Sequence, residues 1–277
     1  MLSKLASPTW NPRMSRDTTS SPKDTVRQTF GRAAANYAVS STHVGGPDLE
    51  AMLVASGLDT AHPGRLLDIG TGAGHTAFAF APRIAQVEAL DLTQEMLEQV
   101  ERGARARGLT NIHCQLGDAE ALPYPDDSFD FVTSRLCAHH FQDVRAFVGE
   151  VARVMQPAGT FLLEDSMAPE EAALDAFFNT FELLRDPSHV RNYTRSQWQG
   201  MLAEVGLRSE MLGEWMLEQN FQDWVVRIGA PEMEVAQLRH LLAGAPEAVR
   251  EAFAIMTEPD RIVSVGIPSA LLRARAR

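Results

Sequence analysis

The residues of this chain with the most evident chemical use are three aspartates, each standing where a short apolar run stops. Asp68 follows Leu66-Leu67 and leads through Ile69 into Gly70, Gly72 and Gly74; Asp91 closes Val87-Glu88-Ala89-Leu90; Asp118 follows Ile112 to Leu116 and Gly117. Glycines at every second position let a ligand approach the backbone, because no Cβ stands in the way. The acid decides which ligand. A dinucleotide brings pyrophosphate to such a loop, where helix N–H groups and the helix dipole favour anions, and a carboxylate two residues ahead of the first glycine opposes it. Asp68 instead suits a cation. S-adenosylmethionine carries adenosine, but has a sulfonium and an ammonium where a dinucleotide has phosphates. The plainer alternative is that Asp68 only caps a turn. Gly72-Ala73-Gly74-His75-Thr76-Ala77 also satisfies the dinucleotide pattern G-x-G-x-x-G/A, so the loop alone is weak evidence. Asp91 lies twenty-three residues past Asp68, near the offset of about 20 at which an acid reaches ribose hydroxyls in such sheets.

Downstream, Arg135-Leu136-Cys137-Ala138-His139-His140-Phe141 follows another apolar run, Phe129 to Ser134. A histidine of near-neutral pKa can take a proton from a phenol, an enol or an activated carbon, which makes His139 and His140 candidate acceptor-side bases. The alternative is that one packs locally while the other faces the pocket. No metal is expected, because adjacent residues point apart and no third ligand is in sight. Alignment of reactants can supply about 7–11 kcal/mol, whereas a general base adds about 10²–10⁴-fold in rate, so positioning outweighs the base.

These residues need a frame that brings strand ends together. Leu66 to Ile69 reads as a buried strand, the glycines as a tight turn, and Thr76 to Ala81 as a helix start. Thr93 can cap a helix whose Met96, Leu97, Val100 and Ala104 share one face and which stops at Gly108. Ile112–Leu116, Phe129–Ser134 and Thr160–Glu164 read as further strands, Leu207–Leu217 as a sixth and Arg261–Gly266 as the last. Open α/β sheets bind ligands at the carboxyl ends of their strands, where all three acids would stand. The expected fold class is therefore α/β: a Rossmann-like, seven-stranded, mostly parallel sheet with helices on both faces, plus helical N-terminal and C-terminal cap segments. Leu174, Phe177, Phe178, Phe181 and Leu184 mark a helix within the insertion from Met167 to Asn192, and Thr194 with Gln197 is a capping-box signature for the helix after it. Further helices carry Phe221, Trp224, Val225 and Ile228, then Leu238, Leu241 and Leu242. Some of Phe178, Phe181, Arg185, Trp224 and Met256 are expected to line an apolar or aromatic acceptor pocket.

Taken with Gly117-Asp118-Ala119-Glu120-Ala121-Leu122-Pro123-Tyr124, Asp127-Ser128-Phe129-Asp130 and Arg153-Val154-Met155-Gln156-Pro157-Ala158-Gly159, the sequence from Leu67 to Gly74 and Asp91 resembles the class I S-adenosylmethionine-dependent methyltransferases. Within them it is most similar to the small-molecule branch that includes the ubiquinone/menaquinone biosynthesis C-methyltransferases. Gln156 and Ala158 depart from the usual Lys and Gly, which bears on a turn and not on the cofactor site. The resemblance implies S-adenosyl-L-methionine as cofactor. Asp68 and the glycine loop, Gly70, Thr71, Gly72 and Gly74, would hold its methionyl end, Asp91 its ribose hydroxyls, and Asp118 with the Ala119 backbone its adenine edge, with Leu92, Gly117, Arg135 and Tyr37 completing the cofactor-binding set. Paired histidines like His139 and His140 recur in that family. N-terminal helices close over the cofactor in relatives, so Tyr37 and His43 are candidate lid contacts.

The expected organisation is a structureless extension over 1–25, an N-terminal helical lid over 26–60, a cofactor-binding core over 61–166, and completion of the sheet with helical substrate-cap insertions over 167–277. The extension has Lys4, Arg13 and Arg16 ahead of its first acid, Asp17, the charge order of a transit peptide, without the amphipathic helix one needs. Met14 is a second candidate start. A net charge of −11 argues against nucleic acid, which needs a basic face, and favours a small-molecule methyl acceptor. No run approaches the 18 or so apolar residues of a membrane span. Two cysteines, Cys114 and Cys137, suit a reducing cytoplasm and offer no disulfide framework. A homodimer is compatible with all of this. Two rivals stay open: an NAD-dependent oxidoreductase, opposed by Asp68, Asp118 and the missing Tyr-x-x-x-Lys, and a catalytically silent S-adenosylmethionine-binding protein.

Overall fold

A computed structural model describes residues 21–58 and 62–276. Its centre is β1 (His62–Ile69), which pairs in parallel with β2 (Ile84–Asp91) on one side and β4 (Phe129–Arg135) on the other. Beyond them lie β3 (Ile112–Leu116) and β5 (Met155–Ser166), also parallel. Parallel neighbours need crossovers, and three helices supply them: α4 (His75–Phe80), α5 (Gln94–Arg107) and α6 (Val144–Val154). Then the chain reverses. Strand β8 (Arg261–Ala276) inserts antiparallel between β5 and the edge strand β6 (Leu207–Asn220), giving the order β3-β2-β1-β4-β5-β8-β6. Both closing strands run longer than their apolar patterns suggest. A short β7 (Met256–Glu258) also pairs with β8, one strand more than expected.

Leu66, Leu67 and Ile69 are wholly buried because helices cover both faces of the sheet. On one face Phe147 and Val151 of α6 pack with Trp198 and Leu202 of α8 (Arg195–Glu204); on the other, Met52 of α3 (Pro47–Ser56) packs with Phe80 of α4. The four expected core positions of α5, Met96, Leu97, Val100 and Ala104, are buried, and Gly108 ends the helix at φ +66. Thr93 stands at the N-cap, but its hydroxyl caps nothing; the Asp91 carboxylate accepts the Thr93 N–H instead, at 2.9 Å. Thr194 and Gln197 form the anticipated capping box.

A third core belongs to the cap. Phe178 and Phe181 of α7 (Ala172–Arg185) pack with Trp224 of α9 (Phe221–Ile228) and with Phe253, beside α10 (Glu232–Ala243) and α11 (Glu247–Ala252). At the other end of the chain α1 (Pro22–Ala38) packs on both α5 and α9, so it bridges core and cap. It starts inside the stretch expected to lack structure, on a capping box of Ser21 and Asp24 with Pro22 at its first turn. Residues 1–20, the rest of that expected extension, lie outside the described residues. A one-turn helix, α2 (Ser41–Val44), joins α1 to α3. No helix among the described residues is long and apolar enough to cross a membrane.

Candidate active site

The carboxyl ends of β1, β2 and β4, with the turn after β3, surround a cavity of about 960 Å³ including its mouth, roofed by α1. Gly70 turns at φ +65, with Cys137 so close beneath that a Cβ would come within 2.5 Å of its sulfur. Gly72, at φ +54, has open space where a Cβ would be and lines the cavity, as do Gly70 and Thr71. Gly74 does not: it is the left-handed N-cap of α4, packed over Phe78. Asp68 does not line the cavity either. It lies 1% exposed beneath the turn, its two oxygens accepting from the hydroxyls of Thr71 at 2.7 Å and Thr133 at 2.8 Å, and burial pushes its carboxyl up to about 6. Asp68 therefore holds the turn from beneath, through Thr71.

Asp91 does face the cavity, beside Leu92, and its Oδ2 accepts the Gly72 N–H at 2.8 Å. The donor that a phosphate would seek in this loop is thus already taken by a carboxylate. Gly117, Asp118 and Ala119 line the same wall. Lys23 of α1 reaches across to Asp118 and Glu120, 2.6 Å from each, so α1 is pinned to the rim by a residue the sequence reading passed over. Arg135 and Tyr37 also line the cavity. The Arg135 side chain is directed at α3 and the segment before it: its guanidinium binds Asp48 and donates to the His43 carbonyl at 3.0 Å. Tyr37 stacks edge-on against Phe30 and His43, and its carbonyl is held by His75 Nε2 at 3.2 Å.

The two histidines part company. His140 lines the first cavity and a second, of about 510 Å³ with its opening; His139 lines the second alone. His139 Nδ1 lies 2.6 Å from Asp165 Oδ1, and its backbone N–H donates to Asp165 Oδ2 at 3.1 Å. Burial opposes the charged ring, but the Asp165 carboxylate outweighs it and holds the His139 pKa above the usual value. His140 meets the Ser188 carbonyl at 3.2 Å through Nδ1, and burial, with His139 beside it, lowers it to about 4. At neutral pH His140 is a neutral ring packed edge-on against Phe30.

The second cavity is less apolar than the sequence suggested. Arg185 and Trp224 line it, and so do Glu182, Gln219 and Arg227, for which no local pattern gave a signal. Phe178 and Phe181 are spent in the cap core and Met256 is exposed on β7. Asp165 had the same signal as the other acids, a carboxylate at the end of a strand, one residue past Glu164, where the apolar run had been ended. Among the described residues no group of three or more His, Cys, Asp or Glu could hold a metal.

The methyltransferase-domain family matches residues 67–163, the stretch from β1 to β5 that carries the first cavity. The chain is 42% identical over 226 residues to the uncharacterized methyltransferase YcgJ of Bacillus subtilis (strain 168), covering 82% of this chain and 88% of that one. The crystal structure of YcgJ superposes with a TM-score of 0.80 at 39% identity, over 83% of this chain and 98% of its own. A demethylmenaquinone methyltransferase of Deinococcus radiodurans is 36% identical over 121 residues, 43% of this chain and 50% of its own.

Proposed function

This chain belongs to the S-adenosylmethionine-dependent methyltransferases, and from that premise we propose that it moves a methyl group to a small acceptor in the second cavity, with His139 as the acceptor-side base. When bound, S-adenosylmethionine supplies a methyl group already activated on a sulfonium. The residues around the first cavity fit it. Gly72 leaves room for a close approach, the Asp91 carboxylate suits ribose hydroxyls, and Asp118 with the Ala119 backbone suits an adenine edge. Asp68 acts from below, holding the turn through Thr71. Lys23 and Arg135 close the lid above, which keeps water out of the site.

The observation that carries this reading is the wall the two cavities share. Phe30, Tyr37, Leu136 and His140 line both, so a donor in one and an acceptor in the other meet there. His139 stands on the acceptor side with Nδ1 engaged by Asp165, which leaves Nε2 as the nitrogen that takes a proton. His140, neutral, orients groups at the junction. Phe30, Tyr37 and Trp224 suit an aromatic or apolar body on the acceptor. The test is transfer of label from methyl-labelled S-adenosylmethionine into a metabolite pool. Wild-type protein is expected to label a small molecule and Asp91→Ala to lose the activity together with its affinity for S-adenosylhomocysteine. Wild-type protein that binds S-adenosylhomocysteine yet labels nothing is instead a silent binder.

A further inference from the structure

Resting on that reading, we propose that the acceptor carries an oxyanion, a carboxylate or a phosphate, and that Arg185 and Arg227 receive it in the second cavity. The chain as a whole has a net charge of −11, yet this cavity brings together two guanidinium groups from different helices, α7 and α9. Glu182, 3.9 Å from Arg185, is the carboxylate that lines it with them.

Neutral neighbours help to hold both arginines, alongside the Glu182 carboxylate that faces Arg185. Arg185 lies over the Trp224 ring, 5.0 Å from its centroid, and its Nε donates to the Trp224 carbonyl at 3.4 Å. Arg227 donates to Gln219 Oε1 at 2.9 Å and Ser40 Oγ at 3.3 Å, with Tyr37 under it at 5.9 Å. Side chains fixed in this way are preorganised, so an incoming anion need not freeze them. Two like charges in one half-closed cavity repel and lose hydration, a cost that an anion between them offsets. The repulsion is felt in Arg227, whose pKa is lowered by burial and then by Arg185, whereas Arg185 is raised because its burial is outweighed by Tyr37, Glu182 and Asp186. Guanidinium forks match carboxylate and phosphate geometry, and the rings of Phe30, Tyr37 and Trp224 leave the rest of the cavity to an aromatic or apolar body. Such an acceptor enters oxyanion first, its reactive end left near His139 and His140.

The test uses the full chain saturated with S-adenosylhomocysteine and three probes in calorimetry at low salt: benzoate, phenyl phosphate and the neutral benzamide. At least one anion is expected to bind about tenfold or more tighter than benzamide, and the preference between the two anions tells carboxylate from phosphate. Arg185→Gln and Arg227→Gln should each remove about tenfold of that affinity, with Arg227→Lys, which keeps the charge but not the fork, retaining only part of it, while S-adenosylhomocysteine affinity reports that each variant is folded. Benzamide binding as well as both anions, or anion binding indifferent to both glutamine substitutions, overturns the inference. Failure of S-adenosylhomocysteine to bind the wild-type chain overturns the methyltransferase reading and this inference with it. Bound S-adenosylhomocysteine without anion preference overturns this inference alone.

Discussion

His139 Nδ1 and Asp165 Oδ1 lie 2.6 Å apart, joining the turn after β4 to the end of β5. The two strands are parallel neighbours, with Arg135 opposite Glu164, so their carboxyl ends deliver the pair side by side. The carboxylate holds the ring by Nδ1, and His139 lines the second cavity, the arrangement that the proposed base role requires.

Asp165→Asn is therefore expected to lower turnover by about 10²-fold, the lower end of what a general base contributes. The pH profile gives a sharper reading. A base must be neutral to act, so the rate rises with pH through the His139 pKa, which Asp165 holds above its usual value. Without the carboxylate the largest raising influence is gone, burial is opposed only by the charges of Glu182 and Asp186, and the midpoint moves to lower pH. An unmoved midpoint in the variant refutes the role of the pair.

His139→Gln and His140→Gln should separate in the same measurement. His140 is neutral from about pH 5 upward, because burial and its neighbour lower it to about 4. Its replacement slows turnover and leaves the rising limb where it was; replacement of His139 removes that limb. Both variants should still bind S-adenosylhomocysteine.

Asp68→Asn tests the depth of the first acid. With its pKa raised from 3.8 to about 6, the ligand-free native state binds this proton more tightly than the unfolded chain does. Stability from this group is therefore greatest below pH 4 and declines as pH rises through 6, by up to about 3 kcal/mol at roughly 1.4 kcal/mol per unit. Asparagine cannot ionise, so the melting temperature of the variant, relative to wild type, should climb between pH 4 and 7. A constant difference across that range would mean that Asp68 is not the buried acid described above.

Asp48→Asn removes the charge facing Arg135 at a site where both side chains are almost wholly buried. Breaking a buried pair from one side costs about 3–5 kcal/mol, since the remaining charge keeps its desolvation penalty. Denaturant titration should report a loss of that order, and the segment around His43, which Arg135 also holds through its carbonyl, should become easier for a protease to cut. A loss below about 1 kcal/mol excludes the pair as a structural tie.

Much of the frame was readable along the chain. The spacing of Met96, Leu97, Val100 and Ala104 predicted the buried face of α5, and Thr194 with Gln197 predicted the start of α8, because helical period and capping are properties of residues three and four apart. The same holds for the carboxyl edge, where Asp91 and Asp118 arrive as their strands end. Phe178 and Phe181 mark the limit of such reading. Their spacing identified α7, but a helix has more than one apolar neighbour to choose from, and the cap core took both rings while Arg185 of the same helix went to the cavity.

By itself the sequence determined the order of strands and helices, the glycine turn and the acids at one edge, since each depends on backbone geometry and on side chains within a turn or a strand of one another. Only the tertiary structure decided that Asp68 lies under that turn, that His139 has Asp165 as partner while His140 has the Ser188 carbonyl, and that Arg185 and Arg227 share a cavity. The two histidine pairs join segments 26 and 48 residues apart, Asp68 reaches Thr133 65 residues on, and the arginines come from separate helices; burial, which sets their charge, exists only once the sheet and cap have closed around them.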